Sequence, residues 1–178
     1  MTKHPIIILE GGDATGKTTL AKELGGHYIH ATYNKDLSGV MVEYHLRLLD
    51  AAVVLSEHSH VVIDRWRMSE VVYGNVFRGG PEQEHRTLEL YLRANRLGAT
   101  FVCCHPTNKQ DYIEHFNAVK KTRSEMFDNM IEVYDEYERQ IKILENMYHV
   151  IRHDILDPFG DALPQDILAT AILENLEK

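Results

Sequence analysis

Residues 6–18 read IIILEGGDATGKT, and this stretch decides the fold. Its first four residues are apolar without alternation, which is typical of a strand buried on both faces of a parallel sheet. Gly11 to Thr18 then match the pattern GxxxxGK[ST] in full, and an amphipathic stretch runs on from Lys17 to Leu24. A strand, a glycine-rich turn and a helix in this order predict a loop whose backbone N–H groups surround a polyphosphate.

Each residue type in this loop has a physical reason. Glycine lets the backbone approach an anion closely, and the helix N-terminus adds the positive end of its dipole. We expect Lys17 to reach the β- and γ-phosphates of ATP and the Thr18 hydroxyl to bind Mg²⁺. The predicted ATP-binding residues are Gly11, Gly12, Asp13, Ala14, Thr15, Gly16, Lys17, Thr18 and Thr19. The alternative is a glycine-rich turn that binds nothing.

Short apolar runs and longer amphipathic stretches alternate along the rest of the chain. The predicted strands are Ile6–Leu9, Tyr28–Ala31, Val61–Ile63, Thr100–Cys104 and Tyr148–Ile151. The predicted helices are Lys17–Leu24, Ser38–Glu57, Arg86–Leu97, Arg123–Met147 and Gln165–Leu176. This alternation implies right-handed βαβ units. We therefore predict an α/β fold of the P-loop NTPase type, in which a five-stranded parallel sheet carries helices on both faces. It forms a single domain over residues 1–178, with a short lid near 106–124.

The charge balance excludes some classes of function. The 178 residues carry a net charge of −8, which argues against coating nucleic acid or an anionic membrane through a broad basic face. It leaves an anionic substrate open, because a phosphate site needs only a few donors. The adjacent Cys103 and Cys104 fit neither a disulfide framework nor a CxxC metal site. No apolar run approaches the roughly 20 residues that cross a bilayer, so we expect a cytoplasmic protein without a membrane partner.

A charged pair and an aromatic residue follow the predicted strand Val61–Ile63. Ligands of a parallel sheet gather beyond the carboxyl ends of its strands, so Asp64 and Arg65 are expected at the same edge as the phosphate loop. Arginine binds phosphate with a two-pronged fork, and Trp66 offers an aromatic face to a pyrimidine. The alternative is that Arg65 pairs with Asp64 or Glu70 and that Trp66 fills the core.

The sequence resembles the thymidylate kinase family of nucleoside monophosphate kinases in three segments. Residues 10–18, EGGDATGKT, are similar to that family's EGxDGxGK[ST] loop. Residues 64–73, DRWRMSEVVY, are similar to its DR(aromatic/His)xxSxxxY segment. Residues 122–127, TRSEMF, look like its passage from the lid into a helix. The three segments follow the family's order over nearly the whole chain.

This resemblance implies transfer of the γ-phosphoryl group of ATP to a pyrimidine deoxynucleoside monophosphate such as dTMP. Arg65 would hold the acceptor phosphate, Asp64 would support Arg65 or the hydrated Mg²⁺, and Asp13 would contact the sugar 3′-hydroxyl. The implied acceptor-binding residues are Asp13, Trp66, Ser69, Tyr73, Phe77 and Arg78. The implied catalytic residues are Lys17, Asp64, Arg65 and Arg123.

Phosphoryl transfer also needs positive charge around the migrating group. Family members take it from an arginine in the loop or in the lid, and the loop here has Ala14 and Thr15. The lid must then supply this positive charge. The candidate residues are Lys120, Lys121 and Arg123, of which we favour Arg123. The alternative for these cations is a solvated helix face.

Two departures from the family leave the acceptor open. Residues 30–34 read HATYN without the usual Glu-Pro pair, and the fourth strand ends in Cys103-Cys104-His105-Pro106 rather than in an acidic residue. Compact relatives occur in bacterial viruses, and some act on 5-hydroxymethyluracil bases within DNA. A modified DNA base is therefore an alternative acceptor, in which case the location is the host cytoplasm. His30 and Tyr33 are expected at the active edge, and a homodimer is left open.

Residues 108–111, NKQD, resemble the base-reading NKxD segment of GTPases and follow an apolar strand. A GTPase also needs a DxxG segment directly after the strand that carries its γ-phosphate switch, and here the predicted strand Val61–Ile63 is followed by DRWR, which lacks that glycine. A GTPase and a non-catalytic nucleotide-binding module are therefore further alternatives to a kinase.

Overall fold

The computed structural model describes residues 4–33, 35–119 and 129–176. Within these residues, parallel strands form one five-stranded sheet with the order β2-β3-β1-β4-β5. The strands are β1 (Ile6–Glu10), β2 (His27–His30), β3 (Val61–Asp64), β4 (Thr100–Cys104) and β5 (Val150–His153). This order places β1, and the loop that follows it, at the centre of the sheet.

Helices cover both faces of the sheet. They are α1 (Lys17–Leu24), α2 (Met41–Leu55), α3 (Arg67–Phe77), α4 (Thr87–Arg96), α5 (Lys109–Val119), α6 (Met130–Glu145) and α7 (Gln165–Leu176). The predicted α/β fold with a five-stranded parallel sheet is therefore confirmed. Among the helices of the described ranges, none has the length and apolar character needed to cross a membrane.

The apolar run of β1 contributes to two separate cores. Ile6 and Ile8 pack with the buried residues of α2, α3, α4 and α6 on one face. Ile7 and Leu9 pack with those of α1 and α7 on the other face. Successive side chains of a strand point to opposite faces, so a strand covered on both faces requires apolar residues at every position.

Several elements differ from the sequence predictions. The last strand begins at Val150 instead of Tyr148, and α2 begins at Met41 instead of Ser38. The predicted lid, residues 106–124, contains helix α5, and residues 120–128 lie outside the described ranges together with the predicted start of α6. Helix α3 was not predicted. Its Gly74 packs closely against Pro81, and a Cβ at position 74 would lie 2.5 Å from the Cα of Pro81. No pattern in the neighbouring sequence indicates this tertiary contact.

The side chain of Glu10 joins the end of β1 to the start of α3. One carboxylate oxygen accepts hydrogen bonds from the backbone N–H groups of Trp66 and Met68, both at 3.0 Å. The other accepts from the N–H of Ser69 at 3.1 Å and from its hydroxyl at 2.5 Å. Burial raises the pKa of Glu10 to about 7, against the opposing effect of the Ser69 hydroxyl. These bonds satisfy the free N–H groups of the first turn of α3 and fix Arg65 and Trp66 beside the loop.

We expect Glu10→Gln to destabilise the protein at pH 8 by about 1–3 kcal/mol, because the amide turns an N–H₂ group toward hydrogen-bond donors. Urea denaturation gives the free energy of unfolding. The matched control is Glu23→Gln at an exposed position of α1, which we expect to have the stability of the unmodified protein. Equal stability of the two variants would contradict the capping role of Glu10.

Two buried histidines make the fold sensitive to acid. Burial lowers the pKa of His45 from 6.5 to about 3 and that of His105 from 6.5 to about 4. The unfolded chain therefore binds protons that the folded chain does not, so the stabilising contribution is present above pH 6.5 and is lost as pH falls toward 4. Each histidine contributes a slope of up to about 1.4 kcal/mol per pH unit.

We expect the two histidines together to outweigh the opposite effect of Glu10, whose raised pKa stabilises the fold as pH falls, so that the free energy of unfolding falls between pH 7 and pH 5 and His105→Gln makes that fall shallower. Urea denaturation at both pH values gives the free energy of unfolding of each variant. His58→Gln, at an exposed position, should leave the slope unchanged. A slope that is the same in both variants would rule out His105 as a source of the acid sensitivity.

Candidate active site

The loop from Gly11 to Thr18 wraps around the N-terminus of α1. Gly11 has φ 148° and Gly16 has φ 69°, both in the region that favours glycine. A Cβ at Gly11 would also overlap the carbonyl oxygen of Cys104 on β4, so this position accepts no side chain. A cavity of about 320 Å³ lies over the loop, lined by residues 13–19 together with His30 and Arg65.

Lys17 is buried inside the loop. Its ammonium group donates to the carbonyl oxygen of Gly12 and to the Thr15 hydroxyl oxygen at 3.0 Å. The Thr15 hydroxyl in turn donates to the same Gly12 carbonyl at 2.9 Å. Burial, followed by the nearby charge of Arg65, lowers the pKa of Lys17 to about 8. An anion in the cavity would offset both of these effects, which makes the loop an electrostatic match for phosphate.

Thr18 and Asp64 meet at the carboxyl edge of the sheet. The Thr18 hydroxyl donates to Oδ2 of Asp64 at 2.9 Å, and the Tyr28 hydroxyl donates to the same atom at 2.8 Å. The other carboxylate oxygen, Oδ1, is buried and has no hydrogen-bond partner in the described part of the chain. Hydroxyl and carboxylate oxygens are the donors that Mg²⁺ prefers, so these two residues fit the predicted magnesium site.

Protein groups alone do not make a complete metal site here. Across residues 4–33, 35–119 and 129–176, no cluster of three or more His, Cys, Asp or Glu side chains is arranged to hold a metal ion. Mg²⁺ commonly binds through one or two protein oxygens together with phosphate oxygens and water. A magnesium ion at Thr18 and Asp64 would therefore depend on the bound nucleotide for its other ligands.

Arg65 connects β3 to α3 in a left-handed backbone conformation, with φ 69°. Its guanidinium forms an ion pair with Asp13 and donates to the Tyr73 hydroxyl at 3.2 Å. It also lies over the Tyr73 ring, 5.4 Å from the ring centroid. The structure therefore pairs Arg65 with the phosphate loop, and the alternative pairing with Asp64 or Glu70 is not observed.

A second cavity of about 310 Å³ lies beside the first. Both cavities are lined by Asp13, His30 and Arg65, so Arg65 stands where the two spaces join. The remaining walls of the second cavity are formed by Ala31, Thr32, Tyr33, Met41, His45, Trp66, Ser69, Glu70 and Tyr73. One space therefore suits a polyphosphate, and its neighbour is an apolar and aromatic pocket with polar groups in its walls.

Trp66 and Ser69 serve both the core and the wall of this second cavity. The Trp66 ring packs edge-on against Tyr91, with the ring centroids 6.0 Å apart, and its N–H donates to the carbonyl oxygen of His45 at 3.1 Å. The Ser69 hydroxyl is engaged by Glu10 and lies 2.9 Å from the Tyr137 hydroxyl. Trp66 is 1% exposed and fills the core, as the alternative interpretation of this segment predicted, and both side chains are held rigidly in the cavity wall.

Phe77 and Arg78 stand behind residues that line the cavity. Phe77 stacks on the Tyr73 ring, with an interplanar angle of 15°. Arg78 forms an ion pair with Glu70 at 2.7 Å, and its guanidinium lies 4.0 Å from the centroid of the Tyr33 ring. The predicted lid cations Lys120, Lys121 and Arg123 fall outside the described residues.

Residues 108–111 have a structural explanation. The Asn108 side chain accepts hydrogen bonds from the N–H groups of Gln110 at 2.9 Å and of Asp111 at 3.4 Å, which caps the start of α5. Lys109 forms an ion pair with Asp135 at 2.7 Å. The NKQD segment therefore begins a helix, with its lysine side chain bound to α6.

Comparison with known proteins finds likeness in the fold. No family profile and no curated protein matches the sequence. Solved structures do match. The YorR protein from Bacillus subtilis, determined in complex with phosphorylated GDP, has a TM-score of 0.72 at 21% identity, over 97% of this chain and 95% of that one. Thymidylate kinase from Ehrlichia chaffeensis has a TM-score of 0.54 at 14% identity, over 99% and 100% of the two chains. Deoxyadenosine kinase from M. mycoides, with bound dCTP, has a TM-score of 0.52 at 15% identity, over 96% and 99%.

The chain has the fold of the nucleotide kinases. At these identities the likeness is one of fold and does not extend to the chemistry of the site.

Sequence reasoning missed some residues of this kinase-type fold that contact the site. Tyr28 lies two positions before His30 on β2, and the period of two along a strand would have placed both on one face. Tyr112 and His115 of α5 contact the phosphate loop from about a hundred positions further along the chain. No local pattern indicates a contact at that separation.

We expect Asp64→Asn to remove most of the Mg²⁺-dependent gain in ATP affinity, about tenfold or 1.4 kcal/mol, because an amide lacks the charge that binds the ion. Isothermal titration with ATP, in Mg²⁺ and in a chelator, measures the gain. The control is Asp161→Asn, an exposed carboxylate on the loop before α7. A full Mg²⁺-dependent gain in Asp64→Asn would refute the assignment of this carboxylate.

Proposed function

We propose that the protein transfers the γ-phosphoryl group of ATP, with Mg²⁺, to a pyrimidine deoxynucleoside monophosphate of the dTMP type. The observation that carries the proposal is the junction of the two cavities at Asp13, His30 and Arg65. Phosphoryl transfer requires the donor and acceptor oxygens to be held in line on either side of the phosphorus. Two adjoining cavities with an arginine at their junction meet that requirement.

The donor side rests on the loop. Its backbone N–H groups and the Lys17 ammonium hold the β- and γ-phosphates, and the buried position of Lys17 strengthens its interaction with the charge that develops on the oxygens. A bound Mg²⁺ would neutralise part of that charge, held by Thr18 and by Asp64 directly or through water. This chain's residues therefore position the donor and stabilise charge, and they form no covalent intermediate.

The acceptor side rests on Arg65. An anionic acceptor is repelled by the triphosphate, and a guanidinium fixed by Asp13 and Tyr73 offsets that repulsion at the point where the two anions meet. Asp13 also lines the acceptor cavity, where its carboxylate would accept a hydrogen bond from the sugar hydroxyl. Tyr73, in the wall of the same cavity, supplies aromatic surface for a pyrimidine ring, and Trp66, which is 1% exposed, supports that wall from the core.

The lid cations complete the proposed charge distribution. The loop contains Ala14 and Thr15 where a catalytic arginine could stand, so we assign the remaining positive charge to Lys120, Lys121 and Arg123, with Arg123 as the catalytic residue. Two of the structural neighbours are named as kinases of thymidylate and of deoxyadenosine, which supports phosphotransfer to a nucleotide or nucleoside as the general class.

The test is incubation with ATP and Mg²⁺ against five deoxynucleoside monophosphates and against DNA containing 5-hydroxymethyluracil, followed by mass spectrometry. We expect a mass gain of one phosphate on a free pyrimidine monophosphate. Lys17→Ala should lower the rate by about 10²–10³-fold, as removal of a charge-stabilising donor does. Lys22→Ala, at an exposed position of α1, is the matched control.

The outcomes of this test separate the candidates. Transfer to DNA alone would replace the free nucleotide by the modified base as acceptor. Absence of any transfer, with ATP still bound, would favour a non-catalytic nucleotide-binding module. Full activity of Lys17→Ala would exclude the loop as the donor site.

A further inference from the structure

Helix α5 contacts the outer side of the phosphate loop through two polar side chains. The Tyr112 hydroxyl donates to the carbonyl oxygen of Asp13 at 3.0 Å. Nε2 of His115 lies 3.2 Å from the carbonyl oxygen of Ala14. A carbonyl oxygen only accepts, so the imidazole donates from Nε2. Positions 112 and 115 are three apart, which places both side chains on one face of the helix.

These two carbonyl groups flank the strained residue of the loop. Ala14 has φ 61°, a left-handed conformation that is strained for a residue with a Cβ. Such a conformation persists only where its surroundings hold it. Tyr112 holds the peptide unit before Ala14, and His115 holds the peptide unit after it.

The orientation of each carbonyl group fixes an N–H group of the loop. A peptide unit is planar and trans, so its C=O and N–H bonds point in opposite directions. With the carbonyls of residues 13 and 14 held toward α5, the N–H groups of Ala14 and Thr15 point away from α5. Both residues line the phosphate cavity.

Packing places the Tyr112 hydroxyl firmly against the loop. The Tyr112 ring is buried in the core, with the centroids of Phe116 and Tyr134 at 6.0 and 5.5 Å. A Cβ on Gly12 would come within 2.7 Å of the Tyr112 hydroxyl oxygen. The hydroxyl is therefore a fixed part of the loop's outer wall.

We propose that Tyr112 and His115 are positioning residues for the phosphates of the donor nucleotide. They hold the peptide units on both sides of Ala14, so that the loop presents its N–H groups to the phosphate without reorganisation on binding. The inference rests on the proposed function only in that the loop binds ATP. It requires no transfer reaction.

The decisive comparison is Tyr112→Phe with Tyr134→Phe. Both changes keep a buried ring and remove a hydroxyl that donates to backbone carbonyl groups, because the Tyr134 hydroxyl donates to the carbonyl oxygen of Pro106 at 2.8 Å. Both variants should therefore lose similar amounts of thermal stability. We expect only Tyr112→Phe to raise the Kd for ATP with Mg²⁺, measured by isothermal titration, by about tenfold.

A second pair of variants tests the imidazole separately. His115→Ala removes the donor and should also raise the Kd for ATP. His115→Gln keeps an N–H donor on a side chain of similar reach and should restore most of the affinity. Steady-state kinetics should show a raised KM for ATP with an unchanged KM for the acceptor, a pattern that a general loss of structure would not give.

Two results would overturn the proposal. One is an ATP affinity of Tyr112→Phe equal to that of Tyr134→Phe, with His115→Ala also unchanged. The other is an equal loss of affinity for ATP and for the acceptor. ATP binding that depends on Tyr112 and His115 in a protein without transfer activity would uphold the inference and refute the proposed reaction.

Discussion

The carboxylate of Glu10 is the interaction on which the rest of the site depends. Glu10 is the last residue of the central strand and directly precedes the phosphate loop. Its carboxylate accepts hydrogen bonds from the backbone N–H groups of Trp66, Met68 and Ser69 at the start of α3. Burial of a carboxylate without hydrogen-bond donors costs free energy, so this contact holds the end of β1 against the start of α3. Because the loop begins one residue after Glu10, the same contact sets the distance between the loop and the cavity wall on α3.

A second constraint is the concentration of charge at this sheet edge. The chain is acidic overall, yet two cations, Lys17 and Arg65, lie at this edge, and burial followed by the nearby charge of Arg65 lowers the pKa of Lys17. Asp13 balances Arg65 through their ion pair, and the charges of Asp64 and Asp13 oppose the lowering of the pKa of Lys17. Net charge therefore describes the outer surface, and the local arrangement of four ionisable groups describes the site.

The parts of the molecule that were predictable carry local signals. Continuous apolarity identifies β1, and glycine spacing identifies the loop. The apolar residues Met68, Val71, Val72 and Val76 of α3 have helical spacing, but its first turn also buries Arg67, whose guanidinium donates to the Thr87 hydroxyl at 2.7 Å and to the Glu82 carbonyl at 2.8 Å. Ser69 and Glu70 are buried too, so polarity does not separate the interior face of this helix from its exposed face. The contacts of α5 with the loop join residues about a hundred positions apart, and only the folded chain brings them together.

The shared wall of the two cavities has a thermodynamic consequence. Arg65 faces both spaces, so two anionic ligands draw on one cation, and each lowers the positive potential that the other experiences. The coupling between binding sites is reciprocal, so the factor by which a donor weakens the acceptor is the factor by which the acceptor weakens the donor. Two anions in adjoining cavities would repel each other, and the guanidinium between them reduces that repulsion without removing it. A ternary complex would therefore be less stable than the two binary complexes suggest, which would favour departure of two charged products over their retention.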